Sequence, residues 1–150
     1  MKKAFAFVLV LSILLLSACS APKDEVLASL GKYKSKEFFT SGGFQDYTDY
    51  AKYTYENLDF SGNQYFNIIS SDSMDELNNH IEDFEGWVQT IKESEPDNEV
   101  VLGYDFDSSV ISEEDYLYIY DDPDYPELGS YKVYLFDVES MTLYYFHNNI

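Results

Sequence analysis

Apolar residues recur at helical spacing in the first part of the chain and alternate with polar residues in the last part. Intervals of three and four residues place one set of them on a single side of a helix, which predicts a helix over residues 44–58. That set is Phe44, Tyr47, Ala51, Tyr55 and Leu58. Ser61-Gly62-Asn63 then predicts a turn. The following segment, 64–69, fits a short strand and the start of a helix equally well.

The most regular pattern predicts a helix over residues 74–92. Ser73 and Glu76 have the spacing of a capping box, in which the Ser hydroxyl and the Glu carboxylate satisfy the first free amides of a helix. One continuous apolar stripe follows, made of Met74, Leu77, Ile81, Phe84, Val88 and Ile91. His80 flanks this stripe, and Pro96 bounds the end of the helix.

Beyond Pro96 the period of the pattern changes to two residues, which predicts strands. The predicted strands are 100–106, 116–120, 131–137 and 141–147. The last two are close enough in the sequence for a tight hairpin. Helices followed by strands indicate an α+β fold. We therefore expect one or two N-terminal helices, then a roughly four-stranded antiparallel sheet with the 74–92 helix packed on one face.

Alternation also predicts that one face of this sheet is aliphatic and the other aromatic. The expected aromatic face carries Tyr116, Tyr118, Tyr120, Tyr134 and Tyr144. Tyrosine presents a rigid surface with a polar tip, so such a face is suited to binding a sugar or a peptide. The alternative is that the face is covered, by an N-terminal helix or by curling of the sheet.

Charge narrows the classes of partner. The chain has a formal net charge of −19 and contains no arginine. Nucleic-acid binding is excluded on this basis, because that affinity depends on neutralising phosphates with Lys and Arg. An acidic surface suits a basic partner or a cation, and it also serves solubility alone. Fifteen Tyr, eleven Phe and one Trp argue against a disordered chain.

Two groups of aspartates are weak candidates for a cation site. Asp105, Asp107 and Ser109 occupy the first ligand positions of an EF-hand-like loop, but the glycine and the final glutamate that this loop requires are absent. The second group is Asp121, Asp122 and Asp124. We interpret both as solvated acidic loops, and we expect no metal and no cofactor.

Catalytic motifs are not evident in the sequence. The two histidines, His80 and His147, lie far apart in the chain, and no nucleophile elbow, P-loop or zinc-ligand spacing accompanies them. We expect a protein that is not an enzyme. A hydrolase with an unrecognised site is kept as an alternative, and it predicts a cleft that holds one of these histidines beside a carboxylate.

The start of the chain has the pattern of a secretory signal. Lys2 and Lys3 precede a short apolar run, which ends in small residues. Leu16-Ser17-Ala18-Cys19 resembles the lipobox of bacterial lipoproteins. This resemblance implies diacylglycerol transfer to the Cys19 thiol and cleavage before it, and two acyl chains or more give durable anchoring. It covers only the first 19 residues.

The expected organisation is a signal peptide over 1–18, a lipidated N-terminus and tether over 19–36, and a single α+β domain over 37–150. The expected function is that of a lipid-anchored, extracytoplasmic, non-enzymatic binding module. Its most concrete form captures or inhibits a basic protein at the cell surface. The alternative is a surface lipoprotein that binds a sugar or a peptide on the aromatic sheet face.

Overall fold

The computed structural model describes residues 24–43, 46–124 and 129–149. The chain divides into two compact units, Met1–Gly31 and Lys32–Ile150. In the described part of the first unit, α1 (Glu25–Ser29) begins where the Asp24 carboxylate accepts a hydrogen bond from the amide of Leu27 at 2.9 Å. The prediction of a lipidated Cys19 lies outside the described residues.

The second unit contains a six-stranded sheet, two helices and a 3₁₀ turn at Ser108–Val110. The strands are β1 (Ser35–Thr40), β2 (Tyr47–Thr54), β3 (Asn67–Ile68), β4 (Tyr116–Asp121), β5 (Tyr131–Asp137) and β6 (Thr142–Asn149). The helices are α2 (Ser71–Ser94) and α3 (Glu99–Gly103). The spatial order of the strands is β1-β2-β6-β5-β4-β3, and every neighbouring pair is antiparallel. The α+β prediction is therefore confirmed, with six strands instead of about four.

One hydrophobic core joins α2 to the strands. Buried residues on the predicted stripe are Leu77, Ile81, Phe84 and Val88, and they share the core with Tyr50, Val133, Leu135 and Phe146. The predicted stripe of α2 is thus the side that the helix buries. The rings of Phe84 and Phe146 meet edge to face, with their centroids 5.3 Å apart, a geometry that aromatic pairs favour.

The N-cap of α2 lies three residues before the predicted cap. Ser70 is the N-cap: its hydroxyl accepts from the amide of Ser73, and the Ser73 hydroxyl accepts from the amide of Ser70 at 2.8 Å. Ser73 is therefore the N3 member of the capping box, and not its first residue as predicted. A hydroxyl replaces the usual Glu or Gln at N3, which is why the pattern pointed to the wrong serine.

The predicted helix over 44–58 is wrong, since residues Tyr47–Thr54 form β2. This strand lies between β1 and β6, so residues on both of its sides are buried, among them Asp49, Tyr50 and Ala51. Burial on both faces removes the alternation that identifies a strand. Tyrosine and threonine, which favour strands, supply half or more of its residues.

The predicted strand over 100–106 is also wrong, because Glu99–Gly103 is the short helix α3. The Asn98 side chain accepts from the amide of Val100 at 3.1 Å and caps this helix. Val100 is fully buried. Capping and burial of Val100 outweigh the preference of valine for strands, which is at most about 1 kcal/mol.

Two further predictions have clear outcomes. The hairpin between the last two strands is confirmed: residues 138–140 turn, and the Asp137 carboxylate accepts from the amide of Glu139 at 2.9 Å and from the Ser140 hydroxyl at 2.6 Å. Ser35 and Lys36, which the prediction placed at the end of the tether, belong to β1.

Candidate functional site

An acidic cavity of about 350 Å³ lies beside α2 at the end of β4 and the start of β5. Among its lining residues are Asn79, His80 and Asp83 of α2, Asp121 of β4, and Ser130 and Tyr131 at the start of β5. The cavity brings together residues that are far apart in the sequence, because β4 and β5 are joined by a long connection whose two ends meet here. No lysine is among the described residues that line it.

His80 occupies one wall of this cavity with both ring nitrogens engaged. Its Nε2 lies 2.9 Å from Oδ1 of Asp121, and its Nδ1 lies 2.9 Å from the carbonyl oxygen of Glu76. Both partners are acceptors, so the doubly protonated ring, which donates from both nitrogens, satisfies the whole arrangement. The Asp121 carboxylate lines the cavity and keeps 56% of its side-chain surface exposed.

Tyr131 lies next to His80, and the two rings meet edge to face with their centroids 4.8 Å apart. Its hydroxyl donates to Oδ2 of Asp83 at 2.9 Å and to the carbonyl oxygen of His80 at 3.3 Å. Burial raises the pKa of the Tyr131 hydroxyl, and the charge on Asp83 raises it further. The hydroxyl therefore stays protonated and acts as a donor. A carboxylate accepts up to about four hydrogen bonds, so Asp83 and Asp121 both retain capacity for an external donor.

The tyrosines predicted to form one binding face are divided between the two faces of the sheet. The register pairs Tyr134 with Tyr145 and Leu135 with Tyr144. Tyr144 therefore shares a face with Leu135 and lies opposite to Tyr118 and Tyr134. The prediction about Tyr144 was wrong because strand alternation alone does not fix the register, and a one-residue shift exchanges the faces.

The face that carries Tyr116, Tyr118, Tyr120 and Tyr134 is covered in part by the segment between β2 and β3. Phe60 stacks on Tyr116, with centroids 4.0 Å apart, and Tyr65 meets the edge of Tyr118 at 5.4 Å. Tyr134 is 1% exposed, Tyr116 and Tyr118 are half-buried, and Tyr120 is 41% exposed. These contacts use the aromatic surface for packing, except around Tyr120.

Four of the five aspartates considered as cation ligands have protein partners for their carboxylates. Asp105 accepts from the Tyr50 hydroxyl at 3.0 Å and pairs with Lys52 at 2.6 Å. Burial opposes the ionisation of Asp105, but the hydrogen bonds from Lys52 and Tyr50 outweigh it and lower its pKa.

Three other carboxylates are engaged as well. Asp107 caps the 3₁₀ turn, Asp122 accepts from the amide of Asp124, and Asp121 holds His80. Over residues 24–43, 46–124 and 129–149, there is no group of three or more Cys, His, Asp or Glu residues that could hold a metal ion.

His147 also lies beside a carboxylate. Its Nδ1 is 3.4 Å from Oδ2 of Asp49, and each side chain is 11% exposed. The two residues are direct neighbours across β2 and β6. Both histidines are thus placed beside a carboxylate and line a cavity, which is the arrangement that the hydrolase alternative predicts.

Sequence reasoning did not single out Asp83, Asp49, Lys132 or Tyr131. His80 and Asp83 are three residues apart on a helix, which places them on one side of it. This spacing was the one signal in the sequence that the two residues lie in the same site. The other contacts depend on strand register.

No family model, curated protein or solved structure matches the chain. In the part of the chain that the structure describes, no helix has both the length and the apolar character needed to cross a membrane.

Proposed function

We propose that the protein is a lipid-anchored, extracytoplasmic, non-enzymatic binding module that captures a basic protein. One observation carries the proposal: the cavity of about 350 Å³ between α2 and the sheet is walled by the carboxylates of Asp83 and Asp121. We propose that a lysine or arginine side chain of the partner enters it. The ammonium or guanidinium group then donates charge-assisted hydrogen bonds to these two carboxylates.

The surroundings of the cavity support a cationic partner. The exposed acidic residues of α2 are Asp72, Asp75, Glu76, Glu82, Asp83, Glu85 and Glu93, whereas Lys92 is the one lysine in this helix. Such a surface steers a basic partner by long-range attraction. The two cavity carboxylates differ from the rest because the Tyr131 hydroxyl and the His80 ring hold them in place.

We further infer that α2 lies over the sheet face that carries Tyr50, Val133 and Phe146. The shared core and the contact between Phe84 and Phe146 support this arrangement. It accounts for the position of the site, since a helix on that face sets His80 and Asp83 beside the first residue of β5. The binding residues of α2 are then supported by its buried stripe.

Titration of the full chain with a lysine-rich octapeptide tests the cavity. We expect Asp83→Asn/Asp121→Asn to weaken binding by at least about tenfold, because each lost charge-assisted hydrogen bond is worth about 1.5–3 kcal/mol. Glu113→Gln/Glu114→Gln is the matched control. It removes the same charge from exposed residues near the opposite end of β4, and it should weaken binding by less than about threefold at 0.15 M salt, where the Debye length is about 8 Å.

Comparison of the two variants distinguishes binding of the peptide in the cavity from attraction of the peptide to the net negative charge of the protein. Equal weakening by both would show that the peptide responds only to net charge, and would refute the cavity. Binding to the parent chain should fall steeply as salt is raised, because the interaction is between charges. Affinity that is independent of salt contradicts a basic partner.

The anchor has a separate test. We expect Cys19→Ser to release the protein from the membrane fraction, because no thiol remains to carry the lipid. Full retention of this variant would show that the tether proposal is wrong, and it would leave the cavity proposal unaffected.

The geometry of the histidines keeps the hydrolase as a second candidate. The nearly buried pair of Asp49 and His147 beside a cavity is the observation that favours it. Turnover of chromogenic ester, glycoside or peptide substrates that is lost in His147→Gln would establish this activity. The binding module predicts no turnover of any of them.

A further inference from the structure

Four polar or charged residues form a row across the sheet, on the face opposite to Tyr144. Asp49 of β2 pairs with His147 of β6, His147 pairs with Lys132 of β5, and Lys132 pairs with Tyr120 of β4. Directly paired residues point to the same side, with Cβ atoms about 4.5–5.5 Å apart. The row therefore sets a carboxylate, an imidazole, an ammonium and a phenol next to one another.

This row concentrates the basic groups of the second half of the chain. Beyond Lys92, Lys132 and His147 are the only basic side chains in the sequence, and all other charged residues there are acidic. His147 has Asp49 as its partner at 3.4 Å. Lys132 takes part in none of the ion pairs among the described residues. The same holds for Lys32, Lys36 and Lys92 among the described lysines, so Lys132 is distinguished by its position beside His147 and not by the lack of a carboxylate partner.

The row opens into a cavity of about 230 Å³, which borders the acidic one at Ser130 and Tyr131. Besides Lys132 and His147, its walls include Tyr47, Tyr120, Asn149 and Asp122. Most of these side chains carry hydrogen-bond donors, and Asp122 is the one acidic residue among the described lining residues. Ligand cavities for drug-sized molecules begin at about 300 Å³, so this cavity suits a smaller molecule.

Asp49 determines what the row presents to the cavity. Its carboxylate oxygen Oδ2 lies 3.4 Å from Nδ1 of His147, so Nε2 is on the far side of the ring, away from Asp49. Lys132 is the neighbour of His147 on that side. When the ring carries both protons, Nε2 is a second donor next to the ammonium, and an anion placed between them accepts from both.

We propose that this cavity binds the carboxylate of a small organic acid, held between the Lys132 ammonium and the His147 ring. The apolar body of the acid lies against the rings of Tyr47 and Tyr120. Tyr47 meets the ring of His147 edge to face at 5.0 Å, which fixes this wall. Asp122 repels dianions, so the ligand is a monocarboxylate. The two groups that recognise the acid, Lys132 and His147, do not line the acidic cavity that we propose for a basic protein.

Benzoate is the probe, and benzamide is its neutral counterpart of the same shape. Both are titrated into the full chain by NMR, with the ring protons of His147 as the reporter. We expect benzoate to shift these signals saturably, and benzamide to bind at least about tenfold more weakly, because it lacks the charge that Lys132 recognises.

Substitution of the lysine completes the test. Lys132→Gln should weaken benzoate binding at least about tenfold, since about 1.4 kcal/mol corresponds to a factor of ten. Lys132→Arg should restore most of it, and Lys92→Gln, which removes the same charge from the exposed part of α2, should leave it unchanged. Equal binding of benzamide, no effect of Lys132→Gln, or no saturable shift at all would overturn the proposal. None of these results bears on octapeptide binding at the acidic cavity.

Discussion

Replacing Gly103 with alanine is expected to destabilise the protein through a single contact. A Cβ at this position would lie 2.2 Å from Cδ1 and 2.3 Å from Cγ of Phe39. Carbon atoms pack best at about 3.5–4.0 Å, so the ring or the helix must move by more than about 1 Å. Phe39 stacks on Tyr50, with centroids 6.3 Å apart. Tyr50 is fully buried, which limits how far the ring can retreat.

The magnitude follows from two opposed effects. Overpacking of this kind costs about 1–3 kcal/mol, whereas alanine is favoured over glycine within a helix by up to about 1 kcal/mol. Gly103 is the last residue of α3, so only part of that gain applies. We expect a net loss of about 1–2 kcal/mol in the free energy of unfolding.

Gly86→Ala is the matched control, since Gly86 lies in the interior of α2 and no described atom would lie within 4 Å of its Cβ. It should stabilise the protein by about 0.5–1 kcal/mol. Urea unfolding followed by circular dichroism measures both variants, and the slope should not change. Adding Phe39→Leu to Gly103→Ala should recover part of the loss, because a smaller side chain relieves the contact. If Gly103→Ala is as stable as Gly86→Ala, α3 does not approach β1 as closely as described.

Four other substitutions test buried, paired and capping groups. Tyr55→Phe should raise stability by about 1 kcal/mol or more, since its buried hydroxyl has no hydrogen-bond partner among the described residues; Tyr50→Phe, which loses the bond to Asp105, should lower it. Asp105→Asn should cost less than about 1 kcal/mol, because the carboxylate is largely exposed. Its pKa is lowered in the folded chain, so this difference should be present at pH 7 and vanish as pH falls below about 4. Urea unfolding across pH measures it, and a difference that grows in acid contradicts the assignment. Ser70→Ala should cost about 1 kcal/mol by removing the cap of α2, and a silent substitution would place the helix start at Ser73.

The helix with one buried face could be predicted from the sequence, because the stripe on α2 records that single buried side and sets a recognisable period. β5 and β6 are buried on both faces, but the tyrosine, phenylalanine and β-branched residues that favour strands make up half or more of each and still identify them. In β2 the period is hidden, because Thr48, Asp49, Tyr50 and Ala51 are all buried. In α3, one buried valine and one asparagine cap determine the structure, and five residues are too few to show a period.

The candidate sites depend on information of another kind. Composition predicts that the protein is acidic, but it does not say which carboxylates are held in place by neighbours. Asp83 acquires its partner because Tyr131 begins β5 beside α2, and Lys132 acquires His147 because of the β5–β6 register. A shift of that register by one residue would place Tyr144 beside Tyr134, as the sequence suggested, and would move His147 to the other face of the sheet. The turn at residues 138–141 sets this register. It therefore keeps Tyr144 away from the face of Tyr134, and it brings Lys132 and His147 together.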